Sequence, residues 1–444
     1  MFCTSAPLSS VEAVCRNFLA VNCPSQVGAA AAMLPTLPLY ILISVPALLV
    51  QASTADPSKK SPAASPLNRP PAPLGDPSWA LGLRLYQGLR TDSSSVNTLF
   101  SPLLVASSLG ALGDGSAGAT ASQLRDLLKT ENDGGLVAAL KSFTEANGSS
   151  FHLHTSSALF SKHAAQLSQK FVKESLTRFR VQHQPLEEGD SEVDLKQLLS
   201  WAKTGLGGLE GAPLRDEIQA KTGALFLANA LRFRGLWERE FSKKSADLRT
   251  FLGKKYTKVM MMHRAGLFRH YEDIENMVQV LEVPLWAGKA SVVLLMPFHV
   301  EGLARLDKLL TVDLLSKWLE KTNVTSVTIS LPVANITSTL NLQAQLSALG
   351  LSDAWDPESA DFSGVSDKSK EKLYLGGVLH WASLELTATA GKGDAALEEE
   401  HIEKPKLFYA DHAFIIFVRD NLTGALLLMG ALDHAEGEAL HDEL

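Results

Sequence analysis

The sequence predicts an α+β fold, and three observations lead to that prediction. Helical periodicity dominates the first half of the chain, strand-like apolar runs are concentrated later, and neither βαβ alternation nor an internal repeat is found. The 444 residues are 45% hydrophobic and 20% charged, which excludes an intrinsically disordered chain. Because 41 Lys and Arg residues stand against 48 Asp and Glu residues, a polybasic nucleic-acid binder is also excluded.

The N-terminal segment is predicted to be a targeting signal. Residues 37–50 form a continuous apolar run inside a longer uncharged stretch. We interpret residues 33–52, beginning at Met33, as a cleaved signal peptide and residues 1–32 as an upstream extension. A membrane anchor across residues 27–50 is the alternative, although the short apolar run and its prolines disfavour it. After cleavage of the signal no membrane association is expected.

Residues 53–77 form a proline-rich leader. Their proline, serine, alanine and lysine content cannot build a packed core, so a flexible segment is expected. The three cysteines of the chain, Cys3, Cys15 and Cys23, all precede this leader. The body of the protein therefore has no disulfide framework, thiolate metal site or cysteine nucleophile.

Helical signals begin directly after the leader. Apolar residues recur with helical spacing from Trp79 to Tyr86, and Leu103–Leu112 is predicted to be a second helix. Thr120 and Gln123 have the spacing of a capping box before a third helix. Further helical faces are marked by Leu303, Leu306, Leu310, Leu314 and Trp318.

Strand signals are concentrated in the second half of the chain. Each is a short apolar run rich in β-branched or aromatic residues and bounded by turn residues. The runs are Met277–Val283, Ala290–Met296, Ser326–Pro332, Phe414–Val418 and Ala425–Met429.

One motif is common in dinucleotide-binding enzymes. Residues 113–118 match G-x-G-x-x-G, but the preceding segment is predicted to be a helix instead of the strand that such a site needs. We therefore interpret the match as a turn between two helices. No G-x-S-x-G elbow or H-E-x-x-H helix occurs, so no catalytic residue, metal site or cofactor is predicted, and the protein is not expected to be an enzyme.

Two further features predict a location in the lumen of the endoplasmic reticulum. The sequence closes with an HDEL-type tail, which a retention-signal receptor reads in that lumen. Its residues are His441, Asp442, Glu443 and Leu444. Sequons at Asn147, Asn323 and Asn335 are predicted glycosylation sites, and a fourth at Asn421 lies in a turn that we expect to be too tight.

Four motifs together resemble signatures of the serpin family and occur in the serpin order. The resemblance covers residues 78–435 and leaves residues 436–444 as the tail. It implies a single α+β serpin domain with three β-sheets, eight or nine helices and an exposed reactive-centre loop. The motifs are Asn97–Pro102, Leu109–Thr120, Asn229–Trp237 and Phe408–Phe414.

The resemblance also implies roles for residues near the main sheet and the loop. His380 and Asn229 match the family's hydrogen-bonded pair beneath that sheet, and Leu104 replaces the serine usual beside them. Inhibitory serpins insert the cleaved loop as a new strand, which requires a hinge without charges or strand breakers. Here the hinge, Leu386–Asp394, contains two glycines around Lys392, so protease inhibition is expected to be disabled.

Within the serpins, the chain is similar to the collagen-binding chaperone branch of the endoplasmic reticulum. The similarity rests on Val259–Arg264, Met296–Glu301 and Lys406–His412, together with the retention tail. It implies a monomeric, non-inhibitory and ATP-independent chaperone that binds triple-helical procollagen at Gly-Xaa-Arg sites. Collagen and the retention receptor would then be its partners.

A carboxylate between apolar side chains is the predicted recognition site. A collagen triple helix presents only X and Y side chains, and an arginine at Y offers a guanidinium. On a strand, Leu407, Tyr409 and Asp411 share one face, so Asp411 would bind that guanidinium while its two neighbours exclude water. The alternative for Asp411 is a structural hydrogen bond common to serpins. The resemblance adds three flanking residues: Arg249, Leu252, which replaces an expected methionine, and Ser330.

Release of the cargo is expected on mild acidification, because histidine titrates near neutral pH. His412 is the first candidate sensor, since its protonated ring would compete for Asp411 and repel an arginine. His263 and His299 are further candidates, and a structural role is the alternative for each. Phe298 stands where related chaperones tend to have a second histidine.

Two other functions compete with the collagen chaperone. A protease inhibitor of the secretory pathway predicts an SDS-stable covalent complex and a gain in heat stability on loop cleavage. A carrier of small hydrophobic molecules predicts saturable ligand binding that is independent of Asp411.

Overall fold

The computed structural model describes most of the chain downstream of the leader. It covers residues 74, 77–91, 97–129, 134–162, 166–186, 191–211, 224–366, 368, 372–391 and 404–439. The predicted upstream extension, signal peptide and retention tail lie outside the described residues, as does nearly all of the leader. The charged part of the predicted hinge, Lys392–Asp394, lies outside them as well.

The described residues contain nine α-helices and fifteen strands, which confirms the α+β fold class. The helices are α1 Pro77–Leu89, α2 Pro102–Asp114, α3 Gly118–Leu128, α4 Gly134–Glu145, α5 Gln169–Phe179, α6 Ser191–Gly205, α7 Leu303–Leu309, α8 Val312–Lys321 and α9 Gln343–Ala348. The strands are β1 Thr98–Phe100, β2 Phe151–Lys162, β3 Val181–Leu186, β4 Ala224–Gly235, β5 Ser242–Leu252, β6 Tyr256–Asp273, β7 Val278–Pro284, β8 Ala290–Pro297, β9 Asn323–Pro332, β10 Ala334–Asn341, β11 Tyr374–Leu386, β12 Lys406–Tyr409, β13 Phe414–Asp420, β14 Leu426–Leu432 and β15 Glu438–Ala439.

Hydrogen bonds join these strands into two sheets. The larger has ten strands in the order β1-β14-β13-β8-β7-β6-β9-β12, with β5 and β15 also paired to β6. The smaller has five strands in the order β10-β11-β4-β2-β3. The first half of β6 pairs with β5 and its last residues pair with β7, so this long strand joins its neighbours into one hydrogen-bonded sheet, and the described residues form two sheets where the family resemblance implied three.

None of the five strands of the smaller sheet was predicted from the sequence. Strands β2 and β3 lie on either side of α5 in the chain and run parallel, and β4 follows α6. This arrangement is a βαβ unit, so the expected absence of such alternation is wrong. Most of β4 is buried without a break, and a strand covered on both faces lacks the alternation by which strands are recognised.

Helix α2 confirms the predicted helix at Leu103–Leu112. The Leu104 N–H donates to the side chain of the N-cap Ser101 at 3.2 Å, and nearly all of the helix is buried. Residues 115–117 then connect α2 to α3, so the G-x-G-x-x-G match is a turn between helices, as predicted. A Cβ on Gly115 would lie 2.5 Å from Val365, which explains why this turn requires glycine.

The predicted capping box is wrong. Helix α3 begins at Gly118, so Thr120 and Gln123 lie inside it. The Asp361 N–H donates to the Thr120 hydroxyl, and the Ser352 N–H donates to the Gln123 side-chain carbonyl, each at 3.0 Å. The two side chains that the local sequence pattern predicted as caps therefore accept hydrogen bonds from a distant segment of the chain.

All five predicted strands of the second half are present, as β7, β8, β9, β13 and β14. The helical faces predicted from Leu303 to Trp318 form two helices, because Thr311 caps α8 and separates it from α7. Among the described residues, no helix combines the length and the apolar character that crossing a bilayer requires.

A buried polar cluster lies beneath the smaller sheet. His380 and Asn229 are neighbours in register on β11 and β4, but the hydrogen bond expected between them is not formed. Instead the Ser101 N–H donates to His380 Nε2 at 2.9 Å, and Asn229 Nδ2 donates to Ser108 Oγ at 3.1 Å. The Ser157 hydroxyl donates to Asn229 Oδ1 at 2.7 Å. Burial lowers the pKa of His380 to about 3, so the ring is neutral.

Candidate functional site

Strand β12 places the first two predicted contact residues at the surface. It lies at the edge of the larger sheet and pairs in parallel with β9. Leu407 is 68% exposed, Tyr409 is half-buried, and Phe408 between them is fully buried. This alternation follows from the pleat of a strand, and it gives Leu407 and Tyr409 the shared outward face that was predicted.

The chain leaves β12 before it reaches Asp411. The Ala410 N–H still donates to the Ser330 carbonyl at 2.9 Å, but the Asp411 N–H turns back to the Tyr409 carbonyl at 3.0 Å. The Asp411 carbonyl then accepts a hydrogen bond from the Leu252 N–H at 2.6 Å. The prediction that one strand carries all three contact residues is therefore wrong for Asp411, because a turn and a link to β5 hold it.

Asp411 and His412 form a hydrogen-bonded pair at this turn. His412 Nδ1 lies 2.8 Å from Asp411 Oδ1, and His412 Nε2 lies 2.8 Å from the Pro297 carbonyl oxygen. Burial disfavours the charged ring, but the hydrogen bonds to Asp411 and Pro297 outweigh it and raise the pKa of His412. The Asp411 side chain is 26% exposed, and no donor among the described residues bonds its Oδ2.

Arg249 lies in an ion-paired chain of side chains on β5 and β6. Its Nε donates to Asp247 Oδ2 at 2.9 Å, and Asp247 Oδ1 lies 2.9 Å from His263 Nε2. The hydrogen bond to Asp247 raises the pKa of Arg249, and the bonds from Arg249 and His263 lower the pKa of Asp247. The Arg249 side chain remains 54% exposed, so the guanidinium is oriented by Asp247 and still open to a partner.

Ser330 is the least accessible of the six predicted contact residues. It is 5% exposed and lies in register between His263 on β6 and Tyr409 on β12. Its hydroxyl lies 2.8 Å from His263 Nδ1. Ser330 and Asp247 therefore hold the two ring nitrogens of His263 by hydrogen bonds. Ser330 thus holds its neighbours in place from beneath the surface.

Sequence reasoning missed two groups of this site. The first is Asp247, which orients both Arg249 and His263. It lies two residues before Arg249 on the same strand, and the two-residue period of a strand predicts that both side chains lie on one face. The Pro297 carbonyl that bonds His412 belongs to β8, and nothing in the sequence around either residue indicates that contact.

His299 lies apart from the hydrogen-bonded pair of Asp411 and His412. It is exposed and lines a cavity of about 340 Å³ together with Glu301 and Arg305. Its closest link to the site is through the chain, since Pro297 precedes it by two residues. The structure therefore does not bring His299 into contact with Asp411 or His412.

The three predicted glycosylation sites, Asn147, Asn323 and Asn335, are all exposed. The side-chain amide of Asn421 instead donates to the Gly288 carbonyl at 3.1 Å and to the Ser291 hydroxyl at 2.8 Å. Amide hydrogen bonds do not distinguish Asn421 from the other sites, because Asn147 Nδ2 donates to the Leu153 carbonyl at 2.9 Å and Asn323 Nδ2 donates to the Lys321 carbonyl at 3.0 Å.

The site combines an open carboxylate, a half-buried tyrosine and an exposed leucine with an oriented guanidinium nearby. This combination can bind a cation that carries apolar atoms, because the carboxylate supplies charged hydrogen bonds and the neighbours exclude water. In the described part of the chain, no group of three His, Cys, Asp or Glu residues could hold a metal ion.

Backbone hydrogen bonds join the described part of the hinge to the segment that follows β4. The Trp237 N–H donates to the Thr389 carbonyl at 3.1 Å, and the Gly391 N–H donates back to the Trp237 carbonyl at 3.1 Å. The Phe241 N–H adds a bond to the Ala388 carbonyl at 3.1 Å. A Cβ on Gly391 would lie 2.1 Å from the Trp286 ring, so the segment fits tightly where it stands.

Comparisons with known proteins agree with this architecture. The family model described as Serpin (serine protease inhibitor) matches residues 78–434. Serpin H1 of Bos taurus is 35% identical over 418 residues, which cover 91% of this chain and 99% of that protein. Serpin H1 of Gallus gallus is 35% identical over 380 residues, which cover 84% of this chain and 93% of that protein.

Solved structures resemble the fold at lower identity. The crystal structure of uncleaved ovalbumin matches with a TM-score of 0.73 and 21% identity, covering 82% of this chain and 100% of that one. Native protease nexin-1 with heparin matches with a TM-score of 0.72 and 22% identity, covering 83% and 99%. From the family model, the relatives and the fold together, the chain belongs to the serpin family.

Proposed function

We propose that this serpin is a non-inhibitory, ATP-independent chaperone that binds triple-helical procollagen in the lumen of the endoplasmic reticulum. Asp411 binds the guanidinium of an arginine at a Gly-Xaa-Arg site, and Leu407 and Tyr409 cover the bond from water. Arg249 contacts carbonyl groups of the rod, and Leu252 adds apolar surface beside Asp411. The signal peptide at residues 33–52 and the tail at residues 441–444 provide entry and retention.

One observation carries the proposal: the predicted contact residues converge, although they come from separate segments of the chain. Leu252 bonds Asp411 through the backbone at 2.6 Å, and Tyr409 lies in register with Ser330. The Asp411 carboxylate keeps one oxygen without a donor among the described residues, which is the atom that an incoming guanidinium needs. The likeness to the serpin H1 relatives supports the same assignment.

A chaperone of this kind needs no ATP. A ligand that binds only the assembled triple helix stabilises that form by RT ln(1 + [L]/Kd), so binding alone shifts the equilibrium. Release then requires a change of conditions, and acidification is the one that the pair of Asp411 and His412 can sense. A proton on His412 offsets the charge of Asp411 and weakens its attraction for arginine.

Asp411→Asn tests the proposal directly. Binding of a triple-helical peptide with a central Gly-Xaa-Arg triplet is measured by pull-down and titration at about pH 7.4. We expect Asp411→Asn to weaken binding by about 2–5 kcal/mol, the range for truncating one partner of a desolvated charge pair. A peptide with glutamine in place of the arginine should bind the wild-type chain equally poorly.

Two control variants distinguish a loss of direct contact with the peptide from a general effect of changing an exposed residue. Leu407 and Leu422 are both 68% exposed, so Leu407→Ala should weaken binding and Leu422→Ala should not. Glu320→Gln removes an exposed carboxylate on α8 and should leave binding unchanged. Undiminished binding by Asp411→Asn would contradict the proposal.

A further inference from the structure

The outward face that carries Tyr409 and Leu407 continues along the larger sheet. Alternate residues of a strand point to one face, and residues paired across neighbouring strands point to the same face. The rows of this face on β6, β9 and β12 are, in order, His263 with Ser330 and Tyr409, Ala265 with Thr328 and Leu407, Leu267 with Ser326, and Arg269 with Val324. The proposed collagen site therefore occupies one end of a longer surface.

Apolar side chains are exposed along this surface. Leu407 is 68% exposed, and Leu267 and Val324 are each 42% exposed. The positions between them carry only short side chains, at Ala265, Ser326 and Thr328. No bulky group therefore separates the three apolar residues. Exposed apolar groups that continue a binding site indicate that the same partner extends over them.

The surface beyond Leu407 offers no free charge to a partner. Arg269 is the only permanently charged residue of these rows, and it pairs with Glu282 at 3.3 Å with only 14% of its side chain exposed. At the opposite end of the proposed site, the turn between β5 and β6 carries the exposed Lys254 and Lys255. The site is therefore flanked by an apolar surface in one direction and by cations in the other.

A rod held by Asp411, Tyr409 and Leu407 runs along β12, since these residues follow one another on that strand and just beyond its end. Its path past Leu407 leads over the row of Leu267. From the level of Tyr409 or Asp411 to that of Leu267 is four to six strand residues, or about 13–20 Å at about 3.3 Å per residue. A chain in the polyproline II conformation rises about 3.1 Å per residue, so Leu267 faces the first or second triplet beside the arginine.

We propose that the surface around Leu267 and Val324 binds the two triplets beside the Gly-Xaa-Arg site and favours uncharged side chains in them. The inference rests on the proposed function and adds what the same site reads beside the arginine. A charged side chain over Leu267 loses water without gaining a partner, which weakens binding, whereas proline and hydroxyproline present apolar rings. Because the apolar surface extends from Asp411 in one direction only, the preference applies to triplets on one side of the arginine.

Two triple-helical peptides of identical composition test the inference. Each has a central Gly-Xaa-Arg triplet in a Gly-Pro-hydroxyproline host, with lysine at Y in the two triplets either before it or after it. Titration calorimetry with the full chain at low salt gives the ratio of the two dissociation constants. We expect Leu267→Glu to shift this ratio about threefold towards one peptide and Leu267→Lys to shift it the opposite way, the size expected for exposed charge pairs. The wild type should bind the peptide that Leu267→Glu favours more weakly than the host peptide without lysine.

The matched control is Leu176→Glu, which changes a leucine on α5 that is 49% exposed and should leave the ratio at its wild-type value. A ratio that neither Leu267 variant moves would overturn the inference, as would an equal shift by Leu176→Glu. In either case a loss of binding in Asp411→Asn would still support the proposed function. Failure of the wild type to bind any of the peptides would overturn both proposals.

Discussion

At the scale of single residues, the state of His412 follows from its two acceptors. A carboxylate and a carbonyl can only accept, so both ring nitrogens donate only when the imidazole is protonated. The raised pKa of His412 means that the folded state binds this proton more tightly than the unfolded state does. The resulting stability is complete below the unfolded pKa of about 6.5 and is lost as the pH rises through the raised value.

His412→Gln removes the titration and keeps an amide donor for Asp411 or Pro297. We expect its affinity for the Gly-Xaa-Arg peptide to change little between about pH 7.4 and about pH 6.0, whereas the wild type weakens across that interval with a midpoint above about 6.5. Surface plasmon resonance at a series of pH values measures both curves. As a second readout, denaturant unfolding should show His412→Gln more destabilised at low pH than at high pH.

The control for this prediction is His299→Gln, which changes an exposed histidine away from Asp411. It should release the peptide at the wild-type midpoint. A wild-type midpoint that persists in His412→Gln would show that the acid sensor lies elsewhere, with His263 as the next residue to replace.

The residues of the site were more predictable than their contacts. The motif around Asp411 predicted the interaction of this carboxylate with His412, because the two residues are adjacent in sequence. The partner of His412 on the other side, the Pro297 carbonyl, lies 115 residues away and carries no side-chain signal. In the same way, His380 and Asn229 were correctly predicted to be neighbours, but the predicted hydrogen bond between them is not formed. His380 instead bonds the α2 N-cap Ser101, and Asn229 bonds Ser108 in α2.

At the scale of secondary-structure elements, burial alone did not decide which strands could be predicted, because β8, β13 and β14 are buried along their whole length and were predicted from their apolar runs. Strand β12 has an exposed face and a buried face, so its alternation appears in the sequence. Strand β4 is buried along most of its length and offers no such pattern, and β2 changes from alternating to continuous burial within its own length. The buried strands that were predicted are uninterrupted apolar runs, whereas polar residues interrupt the missed ones, such as Asn229 in β4 and His152 and His154 in β2.

The end of helix α1 is held by a buried network of charges. Arg90 bonds both oxygens of Asp433 at 2.6 and 2.7 Å and also pairs with Asp307 at 3.0 Å. The Tyr86 hydroxyl donates to Asp307 at 2.6 Å. Both carboxylate side chains are less than one-tenth exposed, at 9% and 8%. The network links α1 to α7 and to the segment that follows β14.

Replacing Arg90 should destabilise the fold strongly. Arg90→Leu leaves Asp307 and Asp433 buried without a cation, so we expect the free energy of unfolding to fall by about 3–5 kcal/mol at neutral pH. Urea unfolding followed by circular dichroism measures the loss. It should shrink at low pH, where protonation removes the uncompensated charges.

A surface ion pair provides the comparison for Arg90. Lys196 and Glu192 on α6 are 72% and 70% exposed, and Lys196→Leu should change the unfolding free energy by less than about 0.5 kcal/mol. Similar losses for the two variants would mean that the network around Arg90 is not a buried unit.

At the scale of the whole molecule, the smaller sheet is closed where an inhibitory serpin must open. Strand β11 pairs in parallel with β4 from Tyr374 to Glu385, and the Arg232 guanidinium donates to Glu385 near the end of that register. The hinge continues directly into bonds with Trp237 and Phe241. Insertion of a cleaved loop would have to break these contacts and bury the charge of Lys392, which the sequence places in the same hinge.

Cleavage in the loop should therefore leave the stability of this protein nearly unchanged. We expect limited proteolysis within residues 392–403 to shift the melting temperature by less than about 2 °C in differential scanning calorimetry, because no new strand joins the sheet. No SDS-stable complex with the protease should form. A large rise in melting temperature after cleavage would mean that β4 and β11 separate after all. Trp237→Phe then tests whether the hinge contacts limit that opening, since it removes the hydrogen bond from the indole N–H to the Thr387 carbonyl. If they do, cleavage should raise the melting temperature of Trp237→Phe more than that of the wild type.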